Sequence, residues 1–156
     1  MVDTEVRPAG PPPRGTRILA LDLGDRRIGV ALSDPLGITA HPILTLTRQS
    51  WAADLEALAR LAREHEAGRI VVGMPLGMDG SRGARVRLTE DFMARVGRAT
   101  GLPVEAWDER LTTVQAERSL LEGNASRARR REVIDQAAAV ILLQSYLDAR
   151  RAAEGT

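Results

Sequence analysis

Apolar residues fall in short blocks that switch between the two-residue period of a strand and the 3.6-residue period of a helix. Arg17 to Asp22 reads as a buried strand and Arg27 to Ser33 as a second. Only Gly24-Asp25-Arg26 separates them, which predicts an antiparallel hairpin. Ser33-Asp34-Pro35-Leu36-Gly37 is turn chemistry, and Ile43 to Thr47 alternates apolar residues with Thr as an edge-like third strand. Ser50 caps an expected helix running to about Ala67, with Trp51, Leu55, Leu58 and Ala62 on one face and Gly68 as its stop. Ile70-Val71-Val72-Gly73 predicts a fully apolar strand ended by Met74-Pro75. A second helix is expected over roughly Arg82 to Ala99, with Phe92, Val96 and Ala99 inward and Gly101 closing it. Pro103 to Trp107 is the fifth strand. Thr112 and Gln115 match a capping box opening a short helix that ends before Gly123. After an Arg-rich loop, a final helix beginning near Arg130 repeats Asp135, Ala138, Ala139, Leu142 and Tyr146 on one stripe.

This order, three strands in meander and then strands alternating with helices, predicts an α/β fold. Its β-α-β passages require parallel strands covered by helices on both faces. In such open sheets ligands gather beyond the carboxyl ends of the parallel strands. Asp22 ends the first strand, Glu109 lies just past the fifth, and Asp135 sits in the first turns of the last helix. Two of them have a structural alternative: Asp22 as a cap on the hairpin turn, Asp135 as a partner of the helix dipole. Asp108 is read as a turn or cap acceptor. If the three acids meet, charges about 4 Å apart repel by roughly 4 kcal/mol at an effective dielectric near 20. A hard divalent cation, Mg²⁺ or Mn²⁺, is the counterion such a cluster of oxygens suits.

Composition narrows the chemistry. A length of 156 residues suits one domain. Residues 1–16 hold Pro8, Pro11, Pro12 and Pro13 and are expected to be a disordered leader, 17–150 the folded domain and 151–156 a flexible tail. No apolar run approaches a membrane span or a secretory signal, so the expected compartment is the cytoplasm, without membrane association. The absence of Cys excludes disulfides, thiolate zinc sites and cysteine nucleophiles. All 22 basic residues are Arg, which excludes a P-loop lysine, a Schiff base and a kinase-type ATP lysine. His65 reads as a solvated group at a helix end and His41 as a loop residue before Pro42. Net charge is only +1, but its distribution is uneven: five Arg against two acids from Arg82 to Arg98, and four Arg against one acid from Asn124 to Glu132. The segment between them, Leu102 to Glu122, has two Arg against five acids. Basic stretches flanking an acidic one suit a phosphate ligand gripped by Arg.

Five stretches in this order resemble the YqgF/RuvX family, relatives of the RuvC Holliday-junction resolvases within the ribonuclease-H-like fold. They are Ala20-Leu21-Asp22-Leu23-Gly24 with Arg27-Ile28-Gly29-Val30-Ala31; Ser33-Asp34-Pro35-Leu36-Gly37; Val71-Val72-Gly73-Met74-Pro75-Leu76 with Met78-Asp79-Gly80; Asp108-Glu109-Arg110-Leu111-Thr112-Thr113; and Ile134-Asp135-Gln136-Ala137-Ala138. The resemblance covers nearly everything from Arg17 to Asp148. It implies a five-stranded mixed sheet in the order 3-2-1-4-5, helices on both faces, and a metal-dependent nuclease acting on structured nucleic acid. The usual family role is 5′-end processing of the pre-16S rRNA in ribosome biogenesis; Holliday-junction or other branched-DNA resolution is the alternative. By motif match Asp22, Glu109 and Asp135 take the catalytic, metal-binding positions for one or two Mg²⁺ or Mn²⁺ ions. Arg26, Arg27 and Arg110 adjoin these acids as candidates for the scissile or flanking phosphates, and Arg127, Arg129, Arg130 and Arg131 as a clamp further out. The chain departs from the pattern at Ala138, where resolvase relatives often carry a fourth acid, and at Gly77, where the family often has Asn. Resolvases work as dimers, which extends the expected partners to a second copy.

Two further classes compete. Asp22-x-Gly24 with Ile28-Gly29-Val30 also resembles the first phosphate hairpin of actin- and hexokinase-type ATPases, which need a second domain that this length does not hold. A non-catalytic nucleic-acid-binding module is the other, and only cleavage separates it from a nuclease.

Overall fold

A computed structural model describes residues 16–76, 82–112 and 127–154, the last stretch with side chains from residue 136 onward. The expected leader at 1–16, apart from Thr16, and the capping-box helix after Thr112 lie outside the described residues.

Strands β1 (Arg17–Leu23), β2 (Arg27–Ser33) and β3 (Ala40–Thr47) form the expected meander. Helix α1 (Trp51–Glu64) leads to β4 (Ala67–Met74), and α2 (Ala84–Thr100) to β5 (Val104–Asp108). A 3₁₀ turn (Glu109–Leu111) and the long helix α3 (Arg127–Glu154) complete the described chain. The sheet order is β3-β2-β1-β4-β5, as the resemblance implied. β2 runs antiparallel to β1 and β3, whereas β4 lies parallel to both β1 and β5. Both faces are covered, so the central strands read as nearly unbroken apolar runs. Leu19, Leu21, Val30 and Val72 pack against α1 and α2 through Leu58, Phe92 and Val96. Ile18, Ala20, Ala31 and Val71 face α3 through Ala139, Leu142, Leu143 and Tyr146.

Several boundaries move. β3 begins at Ala40, so His41 is a strand residue; its Nε2 lies 2.9 Å from the Thr39 hydroxyl. Pro42 is tolerated there because β3 is an edge strand. α1 stops at Glu64, not near Ala67, and Gly68 does not stop it. Glu66 takes a left-handed φ of 55° to turn the chain, and Ala67 and Gly68 then join β4. In α2 the inward stripe is Val86, Thr89, Phe92, Met93 and Val96, leaving Ala99 exposed. Gly101 closes that helix as expected, at φ 71° with its N–H donated to the Gly97 carbonyl. α3 starts at Arg127, before the expected Arg130, and continues through Glu154 into the segment expected to be a flexible tail.

At the amino ends of β4 and β5 a polar group ties α3 to the sheet. Arg69, only 2% exposed, donates to the Tyr146 hydroxyl at 3.0 Å and lies 3.7 Å from Glu105. Tyr146 in turn donates to Glu105, and Arg150 donates to the Tyr146 oxygen at 2.8 Å. Burial, and then the neighbouring Glu105, push the Tyr146 hydroxyl above its ordinary pKa. Removing that oxygen leaves a buried guanidinium short of an acceptor, which costs about 1–3 kcal/mol. Tyr146→Phe is therefore expected to lower the melting temperature by several degrees, read by circular dichroism, without changing the helix content at low temperature.

Candidate active site

Strand alternation decides which acids meet. On β1, Ile18 and Ala20 face α3, so Asp22 faces it too. On β4, Val71 faces α3 and Gly73 follows on the same face. On β5, Trp107 packs on the α3 side, and Glu109 comes two residues later. The β1–β4 register pairs Leu21 with Val72; one residue further sets Asp22 beside Gly73. Across β1 on the other side, Asp22 pairs with Gly29. Asp22 is thus a carboxylate only 4% exposed, flanked at its own level by two residues without side chains.

Glu109 reaches toward Asp22 over Gly73. A Cβ built on Gly73 would stand 2.8 Å from Glu109 Oε1 and 3.3 Å from its Cγ, with Leu142 Cδ1 at 3.4 Å. The turn carrying Glu109 is fastened on several sides. The Asp108 carboxylate accepts the Arg110 N–H at 2.9 Å and holds the Arg110 guanidinium at 2.7 Å. The Thr112 hydroxyl donates to the Glu109 carbonyl at 2.8 Å. The Ser145 hydroxyl of α3 donates to the Leu111 carbonyl at 3.2 Å and accepts from Trp107 Nε1 at 3.1 Å. Asp108 is therefore the cap expected of it, and Glu109, on the opposite face, is the acid that lies over Gly73.

Leu142 lies over Gly73 while Tyr146, one turn on, reaches Arg69 near the start of β4. α3 therefore runs antiparallel to β4, and position 135 lies two turns back from Leu142, toward the carboxyl edge, on the stripe of Ala139 and Leu142. The side chain of Asp135 lies outside the described residues. Because α3 starts at Arg127, Asp135 stands in its third turn; helix-dipole effects fade beyond the first, so the dipole reading of this acid loses its basis. Ala138, at the position of the relatives' fourth acid, is 2% exposed and packs in the core.

At the same edge, the hairpin turn is closed by the Gly24 N–H donating to the Arg27 carbonyl at 2.8 Å, so close that a Cβ on Gly24 would meet that oxygen. Arg48 braces it, donating to the Gly24 carbonyl at 3.0 Å. Arg26 is exposed at its tip and Arg27 half-buried at the start of β2. Arg110 is held by Asp108, with about a third of its side chain exposed. Arg127, Arg129, Arg130 and Arg131 lie on the opening turns of α3 and not in a loop; their side chains lie outside the described residues.

The two described donors fit a hard divalent cation: both are carboxylates, and that of Glu109 lies in the space over β4 that a side chain at 73 would take. Among the described residues no group of three His, Cys, Asp or Glu gathers; Asp22 and Glu109 are the two described members of the expected three. The role of Gly73 was missed in the sequence, although a Gly ending an Ile-Val-Val run is the mark of a close approach.

A family model described as RuvX, Holliday junction resolvase, matches residues 16–149. A protein of Myxococcus xanthus named "Putative pre-16S rRNA nuclease" is 55% identical over 135 residues, 86% of this chain and 89% of its own length. One of the same name from Symbiobacterium thermophilum is 55% identical over 136 residues, covering 87% and 94%. Among solved structures, Thermus thermophilus RuvC in complex with a Holliday junction substrate superposes with a TM-score of 0.57 at 13% identity, covering 87% of this chain and 96% of that one. The likeness to RuvC shows the shared fold.

The Arg110 guanidinium hydrogen-bonded to Asp108 holds its carboxyl below the ordinary value of 3.8. A depressed carboxylate contributes stability above its unfolded pKa and loses it as pH falls through the folded one. Asp108→Asn should therefore lower the urea midpoint at neutral pH, and the gap to the unaltered protein should close as pH falls below the ordinary value of 3.8 and on through the lowered one. A gap that persists at the acid end would show that Asp108 acts through something other than its charge.

Proposed function

This chain belongs to the RuvX family, and we propose that it is a metal-dependent nuclease that processes the 5′ end of pre-16S rRNA in the cytoplasm. The reading is carried by one observation: Asp22 and Glu109, far apart in sequence, come to one face of the sheet at the carboxyl edge of three adjacent strands, with a glycine between them. The names of the relatives at 55% identity supply the substrate class. The likeness to RuvC supports branched DNA as a second substrate to be tested.

Asp22, Glu109 and Asp135 would hold one or two Mg²⁺ or Mn²⁺ ions. When bound, such an ion activates water and offsets charge building on the phosphate. The chain's own contribution is placement. Asp22 is fixed by a central strand and Glu109 by the fastened 3₁₀ turn, so neither needs reordering when substrate arrives. Arg26, Arg27 and Arg110 stand beside these acids to receive the phosphates flanking the cut. Arg127, Arg129 and Arg130 occupy the first turn of α3, which carries no acid. Cations there oppose the helix dipole, a cost that a bound phosphate backbone offsets. A second copy of the chain is retained as a partner, as in the resolvases.

Asp22→Asn, Glu109→Gln and Asp135→Asn should each reduce Mn²⁺- or Mg²⁺-dependent cleavage by more than about a hundredfold with unchanged circular dichroism, and chelation should do the same to the unaltered protein. The assay offers precursor rRNA, single-stranded RNA and four-way DNA junctions side by side. Full activity in all three variants removes the assignment; binding without cleavage of any substrate would make the protein a binding module. Replacing Arg127, Arg129, Arg130 and Arg131 together with Ala should weaken RNA binding for every sequence alike and flatten its salt dependence, by about one unit of slope for each phosphate no longer neutralised.

A further inference from the structure

The structure assigns Gly73 as a positioning residue: its missing side chain lets the Glu109 carboxylate lie across β4 toward Asp22. This rests on the reading of Asp22 and Glu109 as metal ligands. The space is defined on three sides. Beneath is the backbone of β4, a central strand paired with both β1 and β5. Above is Leu142, 1% exposed in the α3 core, whose Cδ1 already lies within 3.4 Å of where a Cβ would stand. On the third side is Glu109, with Oε1 at 2.8 Å and Cγ at 3.3 Å from that point.

A methyl at 73 must displace something, because a non-bonded carbon and oxygen do not approach to 2.8 Å, and even C–H···O contacts keep them about 3.3 Å or more apart. Leu142 sits at ordinary van der Waals distance and need not move. The backbone of the 3₁₀ turn is held by Asp108, Thr112 and Ser145. What yields is the end of the Glu109 side chain, by rotation about its own bonds. The fold therefore tolerates Ala at 73 while the carboxylate leaves its place. Ala is also the better strand residue by backbone entropy, so the glycine at this central position is explained by the site and not by the sheet. A glycine needed only for packing would behave in the opposite way: stability would fall, with ion binding disturbed no more than the unfolding accounts for.

The test compares Gly73→Ala, Glu109→Gln and the double variant, with Mn²⁺ binding measured by calorimetry without nucleic acid, urea unfolding, and the kcat and KM of cleavage. Gly73→Ala is expected to keep its urea midpoint, raise the Mn²⁺ dissociation constant at least about tenfold, and lower kcat with little change in KM. In the Glu109→Gln background it should add nothing further, since it acts through that carboxylate. A full Glu109→Gln defect beside unchanged ion binding in Gly73→Ala overturns the inference and leaves the metal reading standing. So does a Gly73→Ala defect that is undiminished when Glu109 is already Gln. Unchanged Mn²⁺ binding in Glu109→Gln removes the metal reading and this inference with it. If Gly73→Ala does not fold, adding Glu109→Ala should restore folding by clearing the collision, and failure to restore it overturns the inference.

Discussion

A carboxylate 4% exposed in the middle strand of a five-stranded sheet is the constraint around which the rest of the molecule is arranged. Taking an ionised carboxylate out of water is expensive unless other groups compensate, and bulky neighbours would leave those groups no room. Here both cross-strand neighbours of Asp22 on its face are glycines, Gly29 and Gly73. The apolar packing of Ile18, Ala20 and Val71 on the α3 side ends two residues before Asp22 on β1 and two before Gly73 on β4. Beyond it, toward the carboxyl edge, the face is given to acids.

Two ends of one helix serve different purposes. Near its C-terminal half, α3 is locked to β4 and β5 by Arg69, Glu105, Tyr146 and Arg150, and Trp107 stands edge-on to Tyr146 with ring centres 5.3 Å apart. One turn earlier Leu142 covers Gly73, and earlier still the helix carries Asp135 and then the arginines past the edge of the sheet. The lock sets the rotation of α3 about its axis, and that rotation sets which stripe meets the site. Ser145 adds a second link, from the same helix to the turn bearing Glu109. Sheet and helix are thus joined immediately beside the acids they bring together.

Adjacent acids with opposite fates illustrate how a single step along the chain decides where a carboxylate goes. Asp108 and Glu109 are neighbours in sequence, yet alternation sends Asp108 to the Arg110 backbone and guanidinium and Glu109 across β4. No membrane-crossing helix occurs among the described residues, and both faces of the sheet are occupied by the protein's own helices. The carboxyl edge, with the hairpin tip at Arg26, is therefore where the proposed nucleic-acid substrate would meet these acids.

The two-faced core, the caps at Ser50 and Gly101 and the capping role of Asp108 were legible in the sequence, because alternation, helical period and turn chemistry are local properties that a short window of residues carries; the strand order came with the family resemblance. Tertiary contacts decided the rest. Ala40 to Pro42 became strand by pairing with Ala31 to Ser33, and Ala67 and Gly68 left the helix for β4 alongside Arg17. Ala99 reads as apolar, but the inner stripe of α2 is set by what α1 and the sheet offer it. The meaning of Gly73 depends on a side chain 36 positions further along the chain. No local pattern records which atoms of a distant strand will come to rest above a missing Cβ, since that is fixed only when β4 and β5 pair and α3 closes over them.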